Sequence, residues 1–80
     1  MWFIISMVYM STIAGIDPEI YVYKKIYNNK ISCQAVYQNN PQPFINQMTE
    51  MRPNAIRLSF KCVDRKLLME MKQLNRLKKL

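Results

Sequence analysis

The stretch AIRLSFKCV, residues 55–63, carries the pattern that decides the predicted fold class. Apolar and polar side chains alternate through it. The apolar positions are Ile56, Leu58, Phe60 and Cys62. Alternation with a period of two is typical of an antiparallel strand with one buried face and one wet face. We therefore predict a strand over Ala55–Val63, with Arg57 and Lys61 on its wet face.

The residues after this strand change to a helical pattern. Asp64 suits an N-cap position, because its carboxylate can accept a hydrogen bond from the first helical turn. Apolar residues then recur at helical spacing. They are Leu67, Leu68, Met71, Leu74 and Leu77. We predict an amphipathic C-terminal helix over Arg65–Leu80, whose leucines pack on the sheet and whose basic side chains face solvent.

The segment before residue 38 is rich in β-branched and aromatic residues, which favour strands. We predict strands over Glu19–Tyr27 and Lys30–Tyr37, joined by a tight turn at Asn28-Asn29. A proline-containing loop follows, and then a short helical turn over Phe44–Met51. The predicted fold class is thus α+β: a small three-stranded antiparallel sheet packed by the C-terminal helix.

The two cysteines fall on the apolar sides of different predicted strands. Because Cys33 and Cys62 would face one core, we predict that they form a disulfide, as in small extracellular domains. Closing a loop of this length would stabilise the domain by about 3–4 kcal/mol in the chain-entropy model. The alternative is two reduced cysteines buried as small apolar side chains.

The first 15 residues carry no charged side chain and resemble a secretory signal peptide. An apolar run over residues 2–10 precedes the small-residue stretch Ser11–Gly15. Cleavage after Ala14 or Gly15 would leave residues 16–80 as a small secreted basic domain. No basic side chain precedes the apolar run, and the alternatives are an uncleaved membrane anchor and a buried strand or helix. A membrane-spanning helix needs about 20 apolar residues, and this run is shorter.

The net charge of the chain is concentrated at its C-terminal end. Residues 52–80 contain nine basic and two acidic side chains, which accounts for the whole formal charge of +7. A field of this kind attracts anionic partners. The candidate binding residues are Arg57, Lys61, Arg65, Lys66, Lys72, Arg76, Lys78 and Lys79.

Catalytic and cofactor chemistry find little support in the composition. The chain has no His, so imidazole metal sites are excluded, and two Cys cannot complete a four-ligand zinc site. General acid–base and nucleophilic sites need positioned partners, and the five acidic residues are scattered. We therefore predict that the protein is not an enzyme and has neither a cofactor nor a metal site.

The expected function is that of a small secreted cationic interaction protein, of the signalling or effector type. Its partner would be an extracellular receptor or a polyanion, and a secreted location disfavours nucleic acid. One alternative is a membrane-active peptide that acts on anionic membrane surfaces through its basic helix. Another is a small membrane-anchored subunit, if the N-terminal segment is not cleaved.

Overall fold

The structure, a computed structural model, describes residues 1–10, 17–73 and 77–79. Over these residues the chain forms four strands and three helices, in the order β1, β2, α1, α2, β3, α3, β4. The elements are β1 (Trp2–Tyr9), β2 (Glu19–Tyr27), α1 (Lys30–Asn39), α2 (Gln42–Met51), β3 (Arg57–Asp64), α3 (Arg65–Gln73) and β4 (Leu77–Lys79). The predicted α+β class is confirmed.

The sheet has four strands in the order β3-β1-β2-β4, where a three-stranded antiparallel sheet was predicted. β1 pairs antiparallel with β2, where Trp2 lies opposite Tyr27, and antiparallel with β3, where Trp2 lies opposite Asp64. β4 pairs parallel with β2, so the sheet is mixed. The prediction of a purely antiparallel sheet is therefore wrong, because β1 and β4 both lie in segments assigned to other structures.

Both faces of the sheet are covered, which follows from the alternation along β1. Ile5 faces α3, together with Ile20, Val22 and Val63, and Leu68 packs on this set. We call this side the α3 face. The neighbouring residues of β1 point the other way. Ile4 packs with Cys33 and Cys62, and Val8 packs with Tyr21 and Met48, beneath α1 and α2. We call this side the α1–α2 face.

The segment Lys30–Tyr37, predicted as a strand, is helix α1. Asn29 has extended backbone and its side chain accepts a hydrogen bond from the backbone N–H of Ser32 at 2.8 Å, which caps the helix. Burial also follows a helical spacing, because Cys33 is fully buried while Ile31, two residues earlier, is 80 % exposed. The strand prediction failed because the sheet position next to β2 is occupied by β1.

The predicted C-terminal helix is shorter than expected. Asp64 caps α3 as predicted, since its Oδ1 accepts a hydrogen bond from the Leu67 backbone N–H at 2.8 Å. The helix ends at Gln73, however, and β4 follows residues 74–76, which lie outside the described residues, as does Leu80. Leu77 packs into the core of the α3 face from a strand, and β4 supplies backbone partners to the edge of β2. A leucine spaced for a helix thus serves a strand equally well.

The predicted disulfide between Cys33 and Cys62 is present and joins α1 to β3. The two Cα atoms lie 6.2 Å apart, within the usual range for disulfides, and no cysteine is free. Two other predictions are confirmed in outline. The alternation over β3 holds for Phe60 and Cys62, which lie on the α1–α2 face, but Ile56 precedes the strand and is 55 % exposed, and the predicted wet face is buried at Val63. The short turn after the loop is the ten-residue helix α2.

The segment that resembles a signal peptide contributes the central strand of the sheet. Within β1, Ile4, Ile5, Ser6 and Val8 are buried. The predicted cleavage positions, Ala14 and Gly15, lie outside the described residues, and cleavage there stays a prediction. No helix in the described ranges is long and apolar enough to cross a membrane.

Candidate functional site

The predicted basic residues do not form one cluster, because different elements carry them. Arg57 and Lys61 are exposed on the edge strand β3, and Arg65 and Lys66 are exposed in the first turn of α3. We call these four the β3–α3 basic group. Since Arg57 and Lys61 alternate with the residues that face α1 and α2, they point to the same side of the sheet as α3. The structure thus places the four on one continuous run of chain.

Lys78 lies apart from this group, because it is engaged in an ion pair within the fold. Its Nζ lies 3.1 Å from Glu19 Oε1, while Nε of Arg52 lies 2.7 Å from the other carboxylate oxygen. Tyr21 also donates its hydroxyl hydrogen to Glu19 at 2.9 Å. The Arg52 hydrogen bond is the largest cause that lowers the pKa of Glu19 from 4.5 to about 2, against the opposing effect of burial. Lys78 is therefore held within the fold by a carboxylate that it shares with Arg52.

Lys72 and Lys79 border an open groove of about 430 Å³ between α3, β2 and β4. Its floor is largely apolar. The residues that form it are Phe3, Val22, Tyr23, Leu68, Met69 and Leu77. Three lysines complete the lining: Lys24, Lys72 and Lys79. No acidic side chain of the described residues lines the groove. The last predicted residue of the basic surface, Arg76, lies outside the described part of the chain.

Lys24 was not among the predicted binding residues, although the sequence contains the signal that locates it. In β2 every second residue points to the same face, so Lys24 follows Ile20 and Val22 onto the α3 face. The binding residues were predicted from the excess of basic side chains in residues 52–80. Lys24 lies in a segment with no net charge and was therefore not included. The groove thus combines cations from elements that are distant in sequence.

Three cations of the described region lie over aromatic rings at the surface. Lys25 Nζ is 5.5 Å from the centre of the Tyr27 ring, and Lys30 Nζ is 5.9 Å from that of Trp2. The Arg57 guanidinium lies 5.0 Å from the Tyr9 ring. These are distances at which a cation gains from the electron-rich face of a ring, by about 0.5–1 kcal/mol at exposed sites. Arg57 is therefore held in place by β1 while its charge stays at the surface.

Buried polar groups offer no constellation of reacting side chains. Within the described ranges, Ser6 Oγ and the Tyr23 hydroxyl are buried without a hydrogen-bond partner. Burial raises the pKa of Tyr23 to about 12, so its hydroxyl stays protonated at neutral pH. The same part of the chain has no cluster of three His, Cys, Asp or Glu side chains that would hold a metal ion.

Comparison with known proteins gives no relative from which a function can be transferred. No protein-family model, curated protein or solved structure matches this chain.

Proposed function

We propose that this protein is a small extracellular interaction protein that binds an anionic partner, a receptor or a polyanion, through the β3–α3 basic group. The observation that carries the proposal is the state of these four cations. They are exposed, and none of them forms an ion pair with another described residue. Residues 57–66 carry these four cations and one acid, Asp64, so their net charge of +3 creates a local positive potential that attracts and orients an anionic surface.

The extracellular location is supported by the disulfide between Cys33 and Cys62. Disulfides persist in oxidising compartments and are rare in the cytosol of most cells. Cleavage of a signal peptide is a separate matter, because loss of residues 1–14 or 1–15 would remove β1 and with it the hydrogen-bonded neighbour of β3. The proposed binding is that of the chain that retains β1.

The location is tested by the intact mass of the protein recovered from its natural source, with and without reductant. An oxidised cysteine pair supports the extracellular assignment, and reduced cysteines in freshly alkylated material contradict it. The same spectrum reports the N-terminus. A mass that lacks residues 1–14 or 1–15 establishes cleavage, and a mass that includes them establishes that β1 is retained.

The binding surface is tested by two matched triple variants of the full chain. Arg57→Gln/Lys61→Gln/Lys66→Gln removes three charges from the β3–α3 basic group. Lys25→Gln/Lys30→Gln/Lys24→Gln removes three charges from β2 and the start of α1. The probe is a sulfated heparin oligosaccharide at fixed ionic strength, since surface attraction is screened by salt. We expect the first variant to lose at least tenfold in affinity and the second to lose less than threefold.

Equal losses in the two variants would show that net charge alone governs binding, and the proposed surface would be wrong. Unaltered binding by the first variant would contradict it as well. Circular dichroism of both variants is the control for folding, because all six positions are exposed and substitution there leaves the core intact.

Membrane activity is a second candidate, and one observation favours it. On α3, Leu67 and Met69 are 40 % and 47 % exposed and lie beside Lys66 and Lys72. Exposed apolar side chains next to cations are typical of segments that lie on anionic bilayers. Leakage of dye from vesicles rich in phosphatidylglycerol at micromolar protein would support this candidate. Intact vesicles under those conditions would exclude it.

A further inference from the structure

The groove between α3, β2 and β4 has the dimensions of a small-molecule site. Its volume of about 430 Å³ falls within the range of roughly 300–1,000 Å³ that is common for ligand pockets. The groove thus has the size of a site for a slender small molecule.

The chemistry of the lining separates into an apolar floor and a cationic border. Phe3, Val22 and Leu68 contribute floor from three different elements, and the exposed Met69 adds a polarisable side chain that adapts to the shape of a ligand. Such a floor favours hydrocarbon over a peptide backbone, whose buried polar groups would need hydrogen-bond partners.

The border selects the charge of the ligand. Lys24, Lys72 and Lys79 come from β2, α3 and β4, and no acid among the described lining residues offsets them. A lysine places its ammonium group in water while its methylene stem extends the apolar wall. A ligand that is complementary to this arrangement has an anionic head at the lysines and a single apolar tail along the floor.

We propose that this groove binds a long-chain fatty acid, with its carboxylate among Lys24, Lys72 and Lys79 and its hydrocarbon chain against Phe3, Leu68 and Met69. None of the four cations of the β3–α3 basic group takes part. The failure of this proposal therefore leaves the proposed macromolecular binding intact, and the reverse also holds.

The ligand specificity is tested by titrating the full chain with oleate below its critical micelle concentration, followed by isothermal calorimetry. We expect one saturable site with a dissociation constant in the micromolar range, the affinity typical of ligands of this size. Two matched ligands separate the contribution of the apolar tail from that of the carboxylate. Oleyl alcohol keeps the tail and lacks the charge, and butyrate keeps the charge and lacks the tail. We expect oleyl alcohol to bind at least tenfold more weakly and butyrate to show no saturable binding.

The position of the site is tested by two pairs of variants. Met69→Asp places a charge on the groove floor, whereas Leu67→Asp makes the same change at an exposed position of α3 outside the lining. Lys72→Gln/Lys79→Gln removes cations of the border, and Lys61→Gln/Lys66→Gln removes two from elsewhere. We expect Met69→Asp and Lys72→Gln/Lys79→Gln to weaken oleate binding at least tenfold, and the two controls to change it less than threefold.

Three results would overturn the proposal. Equal affinities for oleate and oleyl alcohol would remove the role of the lysines. Equal effects of Met69→Asp and Leu67→Asp would place the ligand outside the groove. Binding to anionic vesicles without saturable binding of monomeric oleate would show that the surface recognises a bilayer instead.

Discussion

Glu19 is the residue whose carboxylate joins three separate segments of the chain. It begins β2, and its carboxylate is bound by Arg52, which ends α2, and by Lys78 of β4. Its side chain is 29 % exposed, so water screens these interactions only in part. One carboxylate thus joins three segments, including the short strand at the C-terminal edge of the sheet.

The lowered pKa of Glu19 makes stability depend on pH in the acid range. The pKa is about 2 in the folded protein against 4.5 in the unfolded chain, so the unfolded state takes up the proton first. The contribution is complete above about pH 4.5 and is lost as the pH falls towards 2. After allowance for screening, we expect Glu19→Gln to cost about 1–2 kcal/mol of unfolding free energy at pH 7.

Urea unfolding of Glu19→Gln at pH 7 and pH 2.5 measures this contribution. The variant should differ from the unmodified protein at pH 7, and most of that difference should be lost at pH 2.5. Glu50→Gln, an exposed carboxylate of α2, is the matched control. A constant difference between Glu19→Gln and the unmodified protein at the two pH values would contradict the assignment.

At the scale of single elements, the sequence predicted β2 and β3 as strands because apolar, β-branched and aromatic residues are frequent in both. Helix α1 was mistaken for a strand, because Cys33 fits both periods. The residues that separate them are Ile31, which a strand would bury, and Val36, which lies with Cys33 in the core only if the chain is helical. The local pattern could not distinguish a helix from a strand here, since the outcome depends on β1 occupying the sheet position next to β2.

The N-cap of α1 allows a test of whether this segment is a helix and not a strand. Asn29→Ala removes the acceptor of the Ser32 backbone N–H, and we expect it to cost about 1 kcal/mol, as is usual for an N-cap. Asn28→Ala, one residue earlier and exposed, is the control and should change stability by less than about 0.5 kcal/mol. Thermal unfolding followed by circular dichroism measures both. Equal effects at the two positions would show that the cap is not what begins α1.

The disulfide holds α1 on β3, and its reduction should lower the free energy of unfolding of the whole chain. The bridge spans 29 residues, for which the chain-entropy model gives about 3–4 kcal/mol. We expect reduction to lower the urea midpoint markedly. The double variant Cys33→Ala/Cys62→Ala should have a lowered midpoint that does not respond to reductant. An unmodified protein whose midpoint is the same with and without reductant would contradict this prediction.

At the scale of the whole molecule, the uneven charge is a property of the sequence itself, whereas the groove could not be predicted from the sequence. Its floor and border combine β1, β2, α3 and β4, and the partners of β1 and β4 are fixed by tertiary contacts. The N-terminal segment illustrates the difficulty. An apolar run of this length serves a signal peptide and a central strand equally well, because both need continuous burial away from water.

The central position of β1 predicts the behaviour of the chain without it. A chain of residues 16–80 would leave β2 and β3 without their shared partner and would expose the apolar residues that pack on Ile4, Ile5 and Val8. We expect this chain to lack the cooperative thermal transition and dispersed amide spectrum of the full chain. A cooperative transition in the shorter chain would show that residues 16–80 form a sheet of their own.

The order of strands also bears on synthesis at the ribosome. β1 is made first, yet one of its two neighbours, β3, begins only at Arg57, so the centre of the sheet stays open until most of the chain has emerged. Pairing across such a separation is slow, and the waiting strand is an exposed apolar segment. During that interval the newly made β1 segment is available to any factor that captures hydrophobic nascent chains, and folding competes with capture.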